Sequence, residues 1–160
     1  MTLSLKNTQQ KSLRQRALEY LGKREYSAME LSNKLSSIAE ETDDIPALIT
    51  DFKERGWLSD ARFTAQLVRA RKVKFGSAKV AHELRQKGIA DDLIAEAISD
   101  IKENELEHAT EVWHKKFKQP ASNRNEWAKQ ARFLQGRGFG FDTIKKVLSN
   151  TNLSTTEHDD

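Results

Sequence analysis

One nine-residue phrase occurs three times in this chain: FKERGWLSD at 52–60, LRQKGIADD at 84–92 and LQGRGFGFD at 134–142. In each copy a large apolar residue is followed four positions later by Gly. That Gly is preceded by Arg or Lys and followed by an apolar residue, and Asp stands four positions after it. A helix that stops needs a C′ residue with positive φ, which Gly adopts without a Cβ penalty, and the next residue can fold back onto the apolar residue of the last turn. The basic residue before the Gly faces the negative end of the helix dipole. The phrase is therefore a helix stop, and it predicts helix ends at Gly56, Gly88 and Gly138. A chain that contains three such stops in 160 residues is built from short helices.

Apolar residues recur at helical spacing along almost the whole length, and no stretch of sustained two-residue alternation argues for strands. The stripes are Leu13/Ala17/Leu21, then Ala28/Leu31/Leu35/Ile38 after the N-cap candidate Ser27, then Ile45/Leu48 or Ile49/Phe52 after Asp43 or Asp44. Phe63/Leu67/Ala70, Val80/Ala81/Leu84 and Ile94/Ala97/Ile98/Ile101 follow. The last three are Leu106/Ala109/Trp113/Phe117, Trp127/Ala131/Leu134 and Phe141/Ile144/Leu148. The fold class is all-α, and the stripes group into three tandem three-helix repeats at 12–58, 59–102 and 104–149. Stacked neighbours supply the burial each small unit lacks. The Gly phrase falls between helices two and three of the second and third repeats. Its first copy sits after the third helix of the first repeat. Residues 1–11 are expected to be a flexible N-terminus and 150–160, without periodicity, a disordered tail.

Two prolines and seven glycines leave little material for turn-rich β structure, and no apolar run reaches the roughly 20 residues of a membrane span. MTLSLKNTQQKS at the start lacks the apolar segment of a secretory signal, and the chain has no cysteine, so a cytoplasmic protein is expected. Glu105-x-x-His108 and Glu111-x-x-His114 match one element of di-iron bundles. Both lie on one helix, and the two further glutamates are missing, so no metal is expected. Gly136, Gly138 and Gly140 follow no strand and lack the G-x-G-x-x-G spacing of a phosphate loop. No nucleophile–base set stands out either. The expectation is a protein without catalysis or cofactor.

The net charge of +3 hides an uneven distribution. Residues 1–59 are neutral, 60–89 carry +6, 90–112 carry −7 and 113–149 carry +7. Two basic blocks flanking an acidic one suit an anionic partner. Candidate contacts in the second repeat are Arg69, Arg71, Lys72, Lys74, Lys79, Arg85 and Lys87. In the third they are Lys129, Arg132, Phe133, Arg137, Lys145 and Lys146. Lys129, Phe133 and Arg137 share one stripe, an aromatic between two cations, as at surfaces where cations meet phosphate and a ring meets a base. Phe133 either serves in that way or packs on the neighbouring repeat.

REYSAMEL (24–31), GWLSDARFTAQLVRAR (56–71), GSAKVAHELRQKGI (76–89) and FLQGRGF (133–139) together resemble the RecX family of regulators of bacterial recombination, over residues 12–149. The resemblance implies an elongated, curved array of three three-helix repeats. It implies binding to the RecA filament on single-stranded DNA, with inhibition of RecA's recombinase, ATPase and coprotease activities; a monomer is expected, with duplex DNA a weaker partner than single strands. The acidic block would then meet basic RecA surface. LSSIAEETDD (35–44) departs from the family pattern, ending the second helix of the first repeat without the Gly phrase. Two other readings of the residues remain, a helical DNA-binding protein that acts without RecA and a scaffold that binds neither.

Overall fold

The computed structural model describes residues 10–156, with side chains described as far as Asn152. Most of the segment expected to be flexible, 1–11, lies outside these residues. The described residues form nine α-helices and no strand: α1 (Leu13–Lys23), α2 (Ala28–Ser36), α3 (Ile45–Glu54), α4 (Asp60–Arg71), α5 (Ser77–Gln86), α6 (Asp91–Glu103), α7 (Glu105–Lys116), α8 (Arg124–Gly136) and α9 (Phe141–Thr156). The chain divides into two units, 1–63 and 64–160.

In the first unit, capping boxes open α1 at Ser12 with Gln15 and α2 at Ser27 with Glu30. Asp44 caps α3 by accepting from the Ala47 N–H. Each satisfies amide groups that a helix start leaves open, for about 1 kcal/mol. The stripes of the three helices meet in a core of Ala17, Tyr26, Leu31, Leu35, Phe52 and Leu58. In the second unit Val80, Ala81, Leu84, Ile89, Ile94 and Ile101 are buried. A further cluster joins Ala109, Val112, Trp113, Leu134, Phe139, Ile144, Val147 and Leu148. Each fully buried Leu or Phe stabilises its unit by about 2 kcal/mol.

The three expected stops are stops. Gly56, Gly88 and Gly138 have φ of 74°, 76° and 92°, and no other described residue has positive φ. Each forms the paired bonds of a Schellman motif. Gly56 donates to Lys53 O and Trp57 to Phe52 O at 3.0 and 2.9 Å, Gly88 to Arg85 O and Ile89 to Leu84 O at 3.0 and 3.1 Å, and Gly138 to Gln135 O and Phe139 to Leu134 O at 2.9 and 3.2 Å. Ile89 and Phe139 fold back into the core as the motif prescribes. Trp57 does not: it is 42% exposed, and Leu58 beside it takes the buried place at 2%.

Helix starts are also capped over long range. Asp60, which opens α4, accepts from the Ala28 N–H at the start of α2 at 2.8 Å. Glu105, which opens α7, accepts from the Ser77 N–H and Oγ at the start of α5 at 3.2 and 3.1 Å. In both cases the residue that opens the first helix of one repeat caps the second helix of the repeat before it.

A third junction joins α5 to α8 end to end. The Gly76 N–H donates to Arg137 O at 2.8 Å and the Ala78 N–H to Gly138 O at 3.2 Å, so open amides at one helix start meet open carbonyls at another helix end. This approach excludes side chains. A Cβ on Gly76 would lie 2.4 Å from Gly138 O, and one on Gly138 would lie 2.5 Å from Lys79 Cβ and 2.7 Å from Lys79 N.

Residues 150–160 are not all tail. α9 continues to Thr156, and Thr151, in register with Ile144 and Leu148, is buried at 6% exposure. Its Oγ1 donates to Leu148 O at 3.0 Å, which lets a polar residue extend an apolar stripe. Residues 157–160 lie outside the described residues.

Candidate nucleic-acid interface

Around the α5–α8 junction, cations and rings alternate. Phe75 precedes the N-cap Gly76, and the Lys79 amine lies 4.6 Å from its ring centre. The Arg137 guanidinium, at the end of α8, is 5.5 Å from the same ring and 5.1 Å from the ring of Phe133 one turn earlier. Lys116, at the end of α7, brings its amine 5.6 Å over Phe133. The order Lys79–Phe75–Arg137–Phe133–Lys116 forms a ladder with members from α5, α7 and α8. Each such contact contributes about 0.5–1 kcal/mol near a surface and fixes where a long side chain holds its charge.

Hydrogen bonds direct the same groups. Arg137 Nη1 donates to the Lys74 carbonyl and Lys79 Nζ to the Gly136 carbonyl, each at 3.4 Å. Lys79 and Lys116 are exposed while Arg137, Phe75 and Phe133 are half-buried. Phe133 packs edge-on against Phe117 of its own repeat at 5.4 Å. The guanidinium of Arg137, not ring contact, ties it to the neighbouring repeat.

The expected contact residues separate into groups. Lys74, Lys79, Phe133 and Arg137 come together at the ladder, with exposed Lys72 two residues from Lys74. Arg71 is engaged internally. Its Nε and Nη2 bond the two oxygens of Glu83, both at 3.0 Å, which holds the guanidinium's pKa above its ordinary value and ties α4 to α5. Arg69, Arg85, Lys129 and Lys146 are exposed, and Lys87 is half-buried in the C-cap of α5. Arg132 lines a cleft of about 440 Å³ with Trp127, Phe139 and Phe141, which Ala78 and Gly138 of the junction also line. Lys145 lies 4.5 Å over Phe141.

Phe75 and Lys116 were missed in the sequence. For Phe75 a signal existed, since Phe75–Lys79, Phe133–Arg137 and Phe141–Lys145 all place a cation four residues after an aromatic. Cations held on rings beside protein carbonyls retain donors for phosphate oxygens, and their charge sets the salt dependence of such binding. Of the two Glu-x-x-His elements, the first has its carboxylate occupied by Ser77. Among the described residues no group of three or more His, Asp or Glu stands close enough to hold a metal ion. No described helix is long and apolar enough to cross a membrane.

Comparison with known proteins matches residues 59–98 to the domain described as "RecX, second three-helix domain" and residues 103–148 to "RecX, third three-helix domain". A protein described as "Regulatory protein RecX" from Leptothrix cholodnii is 41% identical, covering 96% of both chains. Its counterpart from Chromobacterium violaceum is 40% identical over 87% of this chain and 90% of that one. Among solved structures, RecX from Lactobacillus salivarius superposes with a TM-score of 0.76 at 22% identity, covering 88% of this chain and 95% of that one. At that identity the likeness speaks for the fold of three-helix repeats.

Proposed function

This chain belongs to the RecX family, and from that premise we propose that it regulates the RecA recombinase. It binds the RecA filament on single-stranded DNA and inhibits strand exchange, ATP hydrolysis and coprotease action. It acts in the cytoplasm by binding alone. The observation that carries this reading is the ladder of Lys79, Arg137 and Lys116 on Phe75 and Phe133. It lies within the two domains that match the family and gathers cations from both basic blocks on rigid supports. Its charges fit an anionic strand, and its rings hold the charges in place.

Lys72, Lys74 and Lys116 are all exposed, and none shares an ion pair with a described carboxylate. The variant Lys72→Ala/Lys74→Ala/Lys116→Ala is therefore expected to keep its helical circular dichroism. It should bind bare oligothymidylate more weakly, with a log–log salt slope shallower by about 2, at roughly 0.7 per lost contact. It should also lose most of its inhibition of RecA strand exchange. An unchanged slope with full inhibition would refute the reading of this surface. Equal affinity of the parent protein for bare and RecA-coated strands, without inhibition, would favour a DNA-binding protein that acts without RecA.

A further inference from the structure

We infer that the first unit carries its own contact for single-stranded nucleic acid, a stacking platform made by Trp57 with Arg14 and Arg55 close to it. The three Gly phrases provide an internal comparison. At the position after the Gly, Ile89 and Phe139 are 5% and 3% exposed, whereas Trp57 is 42% exposed. Burial at this junction is satisfied without it, because Leu58 occupies the core and its N–H also bonds Phe52 O at 3.2 Å. A large flat ring is thus held in water where the same turn elsewhere hides its side chain.

Its surroundings specify the chemistry of the ligand. The Arg55 guanidinium lies 5.1 Å from the indole centre and that of Arg14 5.8 Å, while Phe52 supports the ring from within at 5.7 Å. Both guanidiniums are oriented by Asp51. Arg14 Nη1 donates to one carboxylate oxygen at 2.8 Å, and Arg55 Nε donates to both at 3.0 and 3.1 Å. One carboxylate against two guanidiniums leaves a net positive charge. The Nη1 and Nη2 atoms of Arg55 are not used in those bonds. A base stacked on the indole and a phosphate on the guanidiniums satisfy both features together, and stacking of this kind tolerates any base. An acidic protein surface would use the cations and leave the ring without a partner. Residues 1–59 are neutral overall, so this cluster is not an extension of the basic blocks.

The inference rests on the nucleic-acid side of the reading above, and the experiment separates the two. The protein is labelled with 5-fluorotryptophan, the Trp57 fluorine resonance is identified by its loss in Trp57→Phe, and (dT)15 is added while anisotropy follows binding. Trp57 is expected to shift or broaden on saturation, while buried Trp113 stays in place. Trp57→Ala should weaken (dT)15 binding about tenfold, and Trp57→Phe by less, since a phenyl ring still stacks. Binding at normal affinity with an unmoved Trp57 resonance overturns the platform and leaves the proposed function standing. A Trp57 response to polyglutamate but not to (dT)15 also overturns it, by assigning the site to an acidic protein. Failure of (dT)15 to bind at all removes the reading on which the platform rests.

Discussion

Three glycines separate two costs that are usually confounded, and substituting each by Ala measures them. Gly56 has φ of 74° and open space where a Cβ would go, so Gly56→Ala meets left-handed strain alone. That strain is about 1–2 kcal/mol, offset in part by the roughly 0.4–1 kcal/mol that Ala gains by restricting the unfolded chain, for a net loss of about 1 kcal/mol. Gly76 has φ of −86°, which any residue adopts, but its Cβ would lie 2.4 Å from Gly138 O and 2.7 Å from Phe139 N. Carbon contacts are favourable near 3.5–4.0 Å, so two backbone segments must part by about 1 Å. That movement costs about 1–3 kcal/mol as overpacking and breaks the Gly76–Arg137 and Ala78–Gly138 bonds, for about 3 kcal/mol in all. Gly138→Ala meets both costs, with φ of 92° and backbone of Lys79 at 2.7 Å, and should lose about 4 kcal/mol. Urea unfolding followed by circular dichroism gives the totals, and amide exchange at residues 76 and 78 gives the location. Both amides should lose protection in Gly76→Ala and Gly138→Ala and keep it in Gly56→Ala. A Gly76→Ala protein as stable as Gly56→Ala, with both amides protected, would refute the close junction.

Glu105→Ala should cost about 2–3 kcal/mol in urea unfolding because it strips the buried Ser77 of two bonds, while Glu105→Gln keeps an acceptor and should cost less. Asp51→Asn should tighten (dT)15 binding and steepen its salt slope by about 0.7, since it removes the charge that offsets Arg14 and Arg55. The hydrogen bonds from Arg14 and Arg55 hold the Asp51 carboxyl below its ordinary value of 3.8. The stability this pair contributes is therefore present above that value and lost as pH falls through the lowered one, and acid unfolding of Asp51→Asn should lack that component. Reversing the exposed Asp91, Asp92, Glu96 and Glu103 should disturb filament binding, read by inhibition of RecA ATP hydrolysis, without weakening (dT)15 binding.

Features written within one turn of helix were legible in the sequence, and features written across turns were not. Gly138 is visible as a cap because its partners, Leu134 and Gln135, are its near neighbours in sequence. Its second role, against Lys79, spans 59 residues and leaves no periodic trace. For the same reason Asp60 and Glu105 read as ordinary first-turn acids, though each caps a helix 32 or 28 residues away. Arg71 reads as one more surface cation until Glu83, twelve residues on, is found to hold it. Residues 150–160 show no apolar periodicity, yet α9 runs through Thr156, because a threonine that bonds its own helix can occupy a core position.

The ladder lies between these cases. Its local half, a cation four residues after a ring, is open to inspection at Phe75–Lys79 and Phe133–Arg137. Its long-range half, the single guanidinium that touches both rings, exists because two glycines let α5 and α8 meet end to end. The placement of Arg137 over Phe75 therefore depends on the absence of a Cβ at positions 76 and 138. A substitution at either glycine, remote in chemistry from any anion, is expected to separate the rings and disperse the cations, so stability and strand binding should fall together at these two positions and independently at Lys72, Lys74 and Lys116.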